Sequence, residues 1–140
     1  MRYLRYFFTL AIVTAIVAVS ALAGDVKVIA NNSVTASSIS AEDLKDIFLL
    51  TKTSLDGNHV EPVVQQAGEV HEAFANQYVH KTGQALATYY RAQLVAGNAV
   101  MPKTLASDAE VVAYVAKTKG AIGYVKVGAS AAGVKTLQVN

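Results

Sequence analysis

The residues with the best claim to chemistry form one short run, Gln65-Gln66-Ala67-Gly68-Glu69-Val70. Val63 and Val64 precede it, and Val70 and Phe74 follow at helical spacing, so the run reads as a turn between a strand and a helix. A helix that starts directly off a strand end presents unpaired N–H groups and the positive end of its dipole. The amides of Gly68 to Val70, with the Gln65 and Gln66 side chains, are therefore expected to hold an anion or small polar ligand without any cation. An ordinary turn accounts for the same pattern. Glu69 works against an anion, because a first-turn carboxylate favours the helix dipole and repels negative charge.

Asn31-Asn32-Ser33 closes an earlier strand. If that strand and the one before Gln65 are parallel neighbours, Asn32 and Ser33 line the same crevice. A loop whose side chains bond their own backbone is the other reading. Tyr124 is expected near the same sheet edge, with packing in the core favoured over a place on the rim.

Other chemistries find no support. His59, His71 and His80 are too widely spaced for a helical metal site, which needs ligands three or four residues apart. No G-x-S-x-G elbow is present, and no histidine is visibly paired with an acid. Glu69 and Glu72 are explained as a solvated first-turn pair without glycosidase chemistry. No catalytic residue, metal or cofactor is expected, and the protein reads as a non-enzyme. Tyr89, Tyr90 and Arg91 suit either a patch for a protein partner or one core tyrosine with Arg91 lying over it, the second reading being preferred.

The elements that must position these residues alternate in type. Asp25 to Ile29 reads as the first strand. Ser40 caps a short helix with Glu42 and Asp43 in its first turn and Leu44, Ile47 and Phe48 on one face. Asp56-Gly57 makes a tight turn before Val60. One helix is expected over Glu69 to Lys81, with Val70, Ala73, Phe74, Gln77 and Tyr78 along a stripe and Gly83 closing it. A second spans Gln84 to Leu94, burying Leu86, Tyr89, Tyr90 and Leu94 and closed by Gly97-Asn98. After a loop through Met101-Pro102-Lys103, Ser107 and Glu110 form a capping box for a helix with Val111, Val112 and Val115. Ala121 to Val127 is a buried strand in which Gly123 marks close approach to another backbone. Val134 to Val139 is an edge strand. Strands separated by helices, without a run of hairpins, give an α/β layered domain.

Composition sets the outer bounds. In the 140-residue chain, Arg2 and Arg5, the apolar run Phe7 to Val19 and Ala21-Leu22-Ala23 have the pattern of a cleaved signal peptide over residues 1–23. The run is short for an uncleaved anchor, which needs about 20 apolar residues. Residues 24–140 then form one domain, periplasmic or secreted, with no membrane span after cleavage. The net charge of +2 resides in Arg2 and Arg5, so the domain itself is neutral and nucleic acid is excluded as a partner. With no cysteine the domain is held by burial alone.

Three segments together resemble a known family: Ser40-Ala41-Glu42-Asp43-Leu44-Lys45-Asp46-Ile47-Phe48, the strand and turn from Pro62 to Phe74, and Ser107 to Val125 ending in Lys119-Gly120-Ala121-Ile122-Gly123-Tyr124-Val125. The family is the phosphate-type periplasmic substrate-binding proteins of ABC transporters, in particular their second lobe. The resemblance implies a three-layer single lobe of the type II periplasmic binding protein fold, a mixed sheet flanked by helices. It also implies phosphate or another small anion as ligand and an ABC permease or envelope protein as partner. Where the phosphate-binding members carry an arginine and a Ser-Gly-Thr cluster, this chain has Val64 to Glu69, keeping the glycine and the helix start without the arginine or hydroxyls. The expectation is therefore an exported solute-binding-like domain with altered or weak anion recognition. Its rival is an interaction or sensor-accessory protein that keeps the fold and has lost the ligand.

Overall fold

The structure, a computed structural model, describes residues 25–97 and 101–140. The expected leader and Asn98 lie outside the described residues. Strand β1 (Val26–Ala30) leads through β2 (Ser38–Ile39) into helix α1 (Ala41–Phe48), and a two-strand hairpin, β3 (Ser54–Leu55) and β4 (Asn58–His59), precedes β5 (Glu61–Gln65). Helix α2 (Glu69–Phe74) continues as a π-helical turn (Ala75–Val79), followed by α3 (Gly83–Val95), β6 (Lys103–Leu105), α4 (Asp108–Lys117), β7 (Ala121–Lys126) and β8 (Lys135–Val139).

Six strands form one mixed sheet in the order β2-β8-β1-β7-β5-β6. Strand β1 is antiparallel to both β7 and β8, whereas β5 is parallel to β7 and to β6, and β2 is parallel to β8. Thus β1 runs against the other five strands. Period-two alternation separates two apolar faces. Val28, Ala30, Val64, Ile122 and Tyr124 pack with Phe48, Phe74, Leu86 and Tyr90 from α1, α2 and α3. Ile29, Val63, Ala121 and Val125 pack with Val111 and Val115 of α4. This is the expected three-layer α/β arrangement. The rings of Phe74 and Tyr124 stack at 3.8 Å, and Phe48 meets Phe74 edge-on at 4.7 Å, so three fully buried aromatics anchor the larger layer. Each contributes about 1.5–3 kcal/mol by burial.

Local signals hold where the determinant is local. The Ser40 side chain accepts from Asp43 N, and Leu44, Ile47 and Phe48 are all buried. Asp56 and Gly57 both have positive φ, 48° and 81°, closing the hairpin that the Asp-Gly pair announces. Ser107 Oγ accepts from Glu110 N at 3.2 Å, while the Glu110 carboxylate accepts from Ala106 N, one residue before the cap.

Long-range packing corrects the rest. The expected helix from Glu69 to Lys81 breaks into α2 and the π-helical turn and ends at His80, whose φ of 58° is left-handed. His71, Phe74 and Ala75 face inward at helical spacing, and the extra residue of the π-helical turn brings Val79 into the stripe while Gln77 is exposed. Gly83 opens α3 rather than closing α2. A Cβ there would lie 2.3 Å from Glu72 Oε1 and 2.9 Å from His71 Cδ2, which is how tightly the two helices meet.

Within α3, Leu86 and Tyr90 are buried, but Leu94 is 54% exposed. Tyr90 donates to Phe48 O at 2.6 Å and Tyr89 to Leu49 O at 2.7 Å, while Arg91 is exposed. The stretch read as a loop at Lys103 is β6, a three-residue edge strand too short for an alternating pattern. β8 is not an edge, because β2 pairs along its outer side. Gly123 accommodates a side chain rather than a backbone, since a Cβ there would meet Val111 Cγ1 at 2.9 Å.

Candidate functional site

Strand β5 delivers the 65–70 turn to one end of the sheet, between β7 and β6. Its last residue, Gln65, is only 6% exposed. The Gln65 amide N–H donates to Tyr124 Oη at 2.9 Å, and its Nε2 donates to Asp108 Oδ1 at 2.7 Å and to Tyr124 O at 3.1 Å. The side chain expected to face a ligand is therefore occupied inside the protein, tying β5 to β7 and to the first residue of α4. Gln66 donates its amide to Leu105 O of β6 and leaves its side chain exposed.

Beyond Gln66 the chain turns outward. Gly68 is the N-cap of α2 with φ 106° and ψ 177°, a conformation reserved for glycine, and no side chain caps the helix. Ala67, Gly68 and Glu69 are exposed and Val70 is half-buried. Among the described residues, the main-chain amides of Ala67, Gly68, Glu69, Val70 and His71 have no hydrogen-bond partner. Glu72 is the first to bond back, to Gly68 O at 3.0 Å. A run of such donors at a helix start attracts negative charge, and the exposed Glu69 carboxylate beside it opposes an incoming anion.

Asn32 and Ser33 lie at the other end of the sheet. The reason is the reversed direction of β1: Asn31 N donates to Ala121 O, and Ala121 is in register with Glu61, the first residue of β5. That level is roughly 13 Å along the strand from Gln65. Ser33 Oγ accepts from Gly120 N at 3.0 Å, Asn32 Nδ2 donates to Gly133 O at 3.2 Å, and Asn31 Nδ2 donates to Val115 O and Ala116 O at the end of α4. This loop bonds its own fold and shares no crevice with the turn.

Sequence reasoning missed the polar core behind the turn. Tyr124 is fully buried, and its hydroxyl accepts from Gln65 N–H and bonds His71 Nδ1. Burial pushes the Tyr124 hydroxyl well above its ordinary range, so it is a neutral donor. Burial also lowers His71 below 6.5, against an opposing pull from Glu72 and a backbone hydrogen bond to Gly83. Tyr124 was expected in the core as part of the apolar run Ala121 to Val127; His71, three residues before Phe74, carried no apolar signal of its own.

No family model matches this sequence, and no curated protein sequence matches it. Solved structures do. A putative phosphate ABC transporter substrate-binding protein with bound phosphate from Clostridium perfringens superposes with a TM-score of 0.64 at 18% identity, covering 81% of this chain and 44% of its own. PstS from Borrelia burgdorferi gives a TM-score of 0.64 at 16% identity, over 82% of this chain and 47% of its own. An ABC-type phosphate transport receptor from Vibrio cholerae gives 0.55 at 16% identity, over 81% and 45%. The chain has the fold of the phosphate-type substrate-binding proteins. It spans less than half the length of the structures it matches.

Proposed function

We propose that this protein is an exported, non-enzymatic solute-binding-like domain, periplasmic or secreted, that recognises a small phosphate-like anion weakly at the turn from Gln65 to Val70. The observation that carries the reading is the run of unpartnered amides from Ala67 to His71 at the start of α2. The similarity in fold to receptors named for phosphate gives the anion its class. Low affinity follows from two features. Glu69 adds like charge at the mouth, and one lobe encloses less of a ligand than a closed pair. An ABC permease or an envelope protein is the partner that suits such a domain.

A second reading, an interaction or sensor-accessory protein without a ligand, is favoured by the loss of Gln65 to the interior and the carboxylate at position 69. Calorimetric titration with phosphate, sulfate and small carboxylates separates the two. Saturable heat with millimolar or tighter affinity supports the binding module; no heat at millimolar ligand leaves the accessory protein.

A further inference from the structure

The turn is held from behind by a hydrogen-bond chain whose direction is set by one proton. Tyr124 Oη accepts the Gln65 N–H, so its single proton is free to go to His71 Nδ1. That bond requires Nδ1 to be bare, which makes His71 the neutral Nε2–H tautomer. If His71 gains a proton, Nδ1 becomes a donor aimed at an oxygen that is itself a donor. The Tyr124 proton is then left without an acceptor in a buried site, an arrangement the interior penalises. From this geometry we propose that His71 and Tyr124 form a proton-controlled latch that positions the Ala67 to His71 amides, closed when His71 is neutral and released when it is charged.

The latch connects directly to the site. Tyr124 grips the last residue of β5, and His71 is the third residue of α2, so the pair clamps both ends of the turn. From its own helix, Glu72 faces His71, but its carboxylate is engaged by Gly83 N at 3.0 Å. From α3 comes the Gly83 backbone, with Tyr90 beyond it near Tyr124; from β7 comes Tyr124 itself. On β5 the neighbour is uncharged Gln65, whose amide group reaches Asp108 of α4. No cation of the described residues bonds this cluster.

The sign is fixed by the lowered folded value. The unfolded chain takes up a proton on His71 at about 6.5, the folded chain only at lower pH. Stability from this group is complete above 6.5 and is lost as pH falls from there through the folded value.

Nuclear magnetic resonance of isotope-labelled protein, expressed from the full-length sequence and used in the form in which it accumulates, tests the latch without any ligand. Near pH 7.5, the His71 ring nitrogens are expected to show a bare Nδ1. On titration to about pH 5, the Gly68, Glu69 and Val70 amide signals move with the His71 midpoint, which lies below 6.5. His71→Asn keeps an acceptor for Tyr124 without titrating, so in that variant the turn amides stay still. Tyr124→Phe provides a second route, removing the partner of Nδ1 so that the turn amides no longer follow His71. Turn amides that stay fixed while His71 titrates, or a proton on Nδ1 near neutral pH, overturn the proposal.

Sulfate, whose charge is constant over this range, supplies the functional arm, which alone rests on the anion-binding reading. Its affinity drops about tenfold from pH 7.5 to 5.5 if latch and ligand are coupled by the equivalent of one pKa unit. Coupled amide shifts without sulfate binding at any pH leave the latch standing and remove the anion reading.

Discussion

The two ends of the sheet each carry a polar loop, and they spend their hydrogen bonds in opposite ways. At the β1 exit, side chains turn inward to satisfy the fold: Asn31 Nδ2 takes the last carbonyls of α4, Asn31 Oδ1 accepts from Ser33 N at 2.9 Å, and Ser33 Oγ takes Gly120 N. At the β5 exit the side chain of Gln65 also turns inward and Gln66 N bonds Leu105 O, but the amides from Ala67 to His71 find no partner in the described residues. Both loops look alike as polar runs after apolar strands. The difference teaches that a loop's availability for a ligand depends on which of its groups the rest of the fold has already engaged.

Removing Asn31 should break the first end hardest. Asn31→Ala leaves carbonyls of Val115 and Ala116 and the amide of Ser33 without partners and is expected to cost about 2–4 kcal/mol in urea unfolding, with anion affinity unchanged. Tyr124→Phe acts at the second end. It orphans the Gln65 amide and should cost about 1–3 kcal/mol, but here anion binding weakens as well, read by calorimetry on the folded fraction. If both variants change stability alone, the two loops are equivalent and the contrast fails. The smallest effect sharpens it: Glu69→Thr removes a like charge beside the amides and should raise sulfate or phosphate affinity about threefold, the scale of a solvent-exposed charge interaction. Unchanged or weaker affinity would place the ligand elsewhere.

Much of the fold was legible because its determinants act over a few residues. Ser40 and Ser107 announce helix starts through bonds to amides three positions on, Asp56-Gly57 announces its turn through backbone preference, and the alternation of β1 and the apolar run of β7 announce strands. The turn at Gln65 to Val70 was visible for the same reason. What escaped was non-local. The direction of β1 relative to β5 depends on pairing with β7, residues nearly a hundred positions later, and it separates Asn32 and Ser33 from the turn. The π-helical turn after Phe74, which packs against α1 and α3, brings Val79 rather than Tyr78 into the buried stripe.

By itself the sequence determined an α/β alternation, its caps and turns, and a helix start with a glycine at its mouth, because propensity and periodicity are properties of neighbouring residues. Only the tertiary structure decided that Gln65 faces inward, that Asn32 lies at the far end and that a histidine and a tyrosine stand behind the turn. The first and last rest on hydrogen bonds between residues 43, 53 and 59 positions apart and the second on the pairing of β1 with β7, none of which a local pattern encodes.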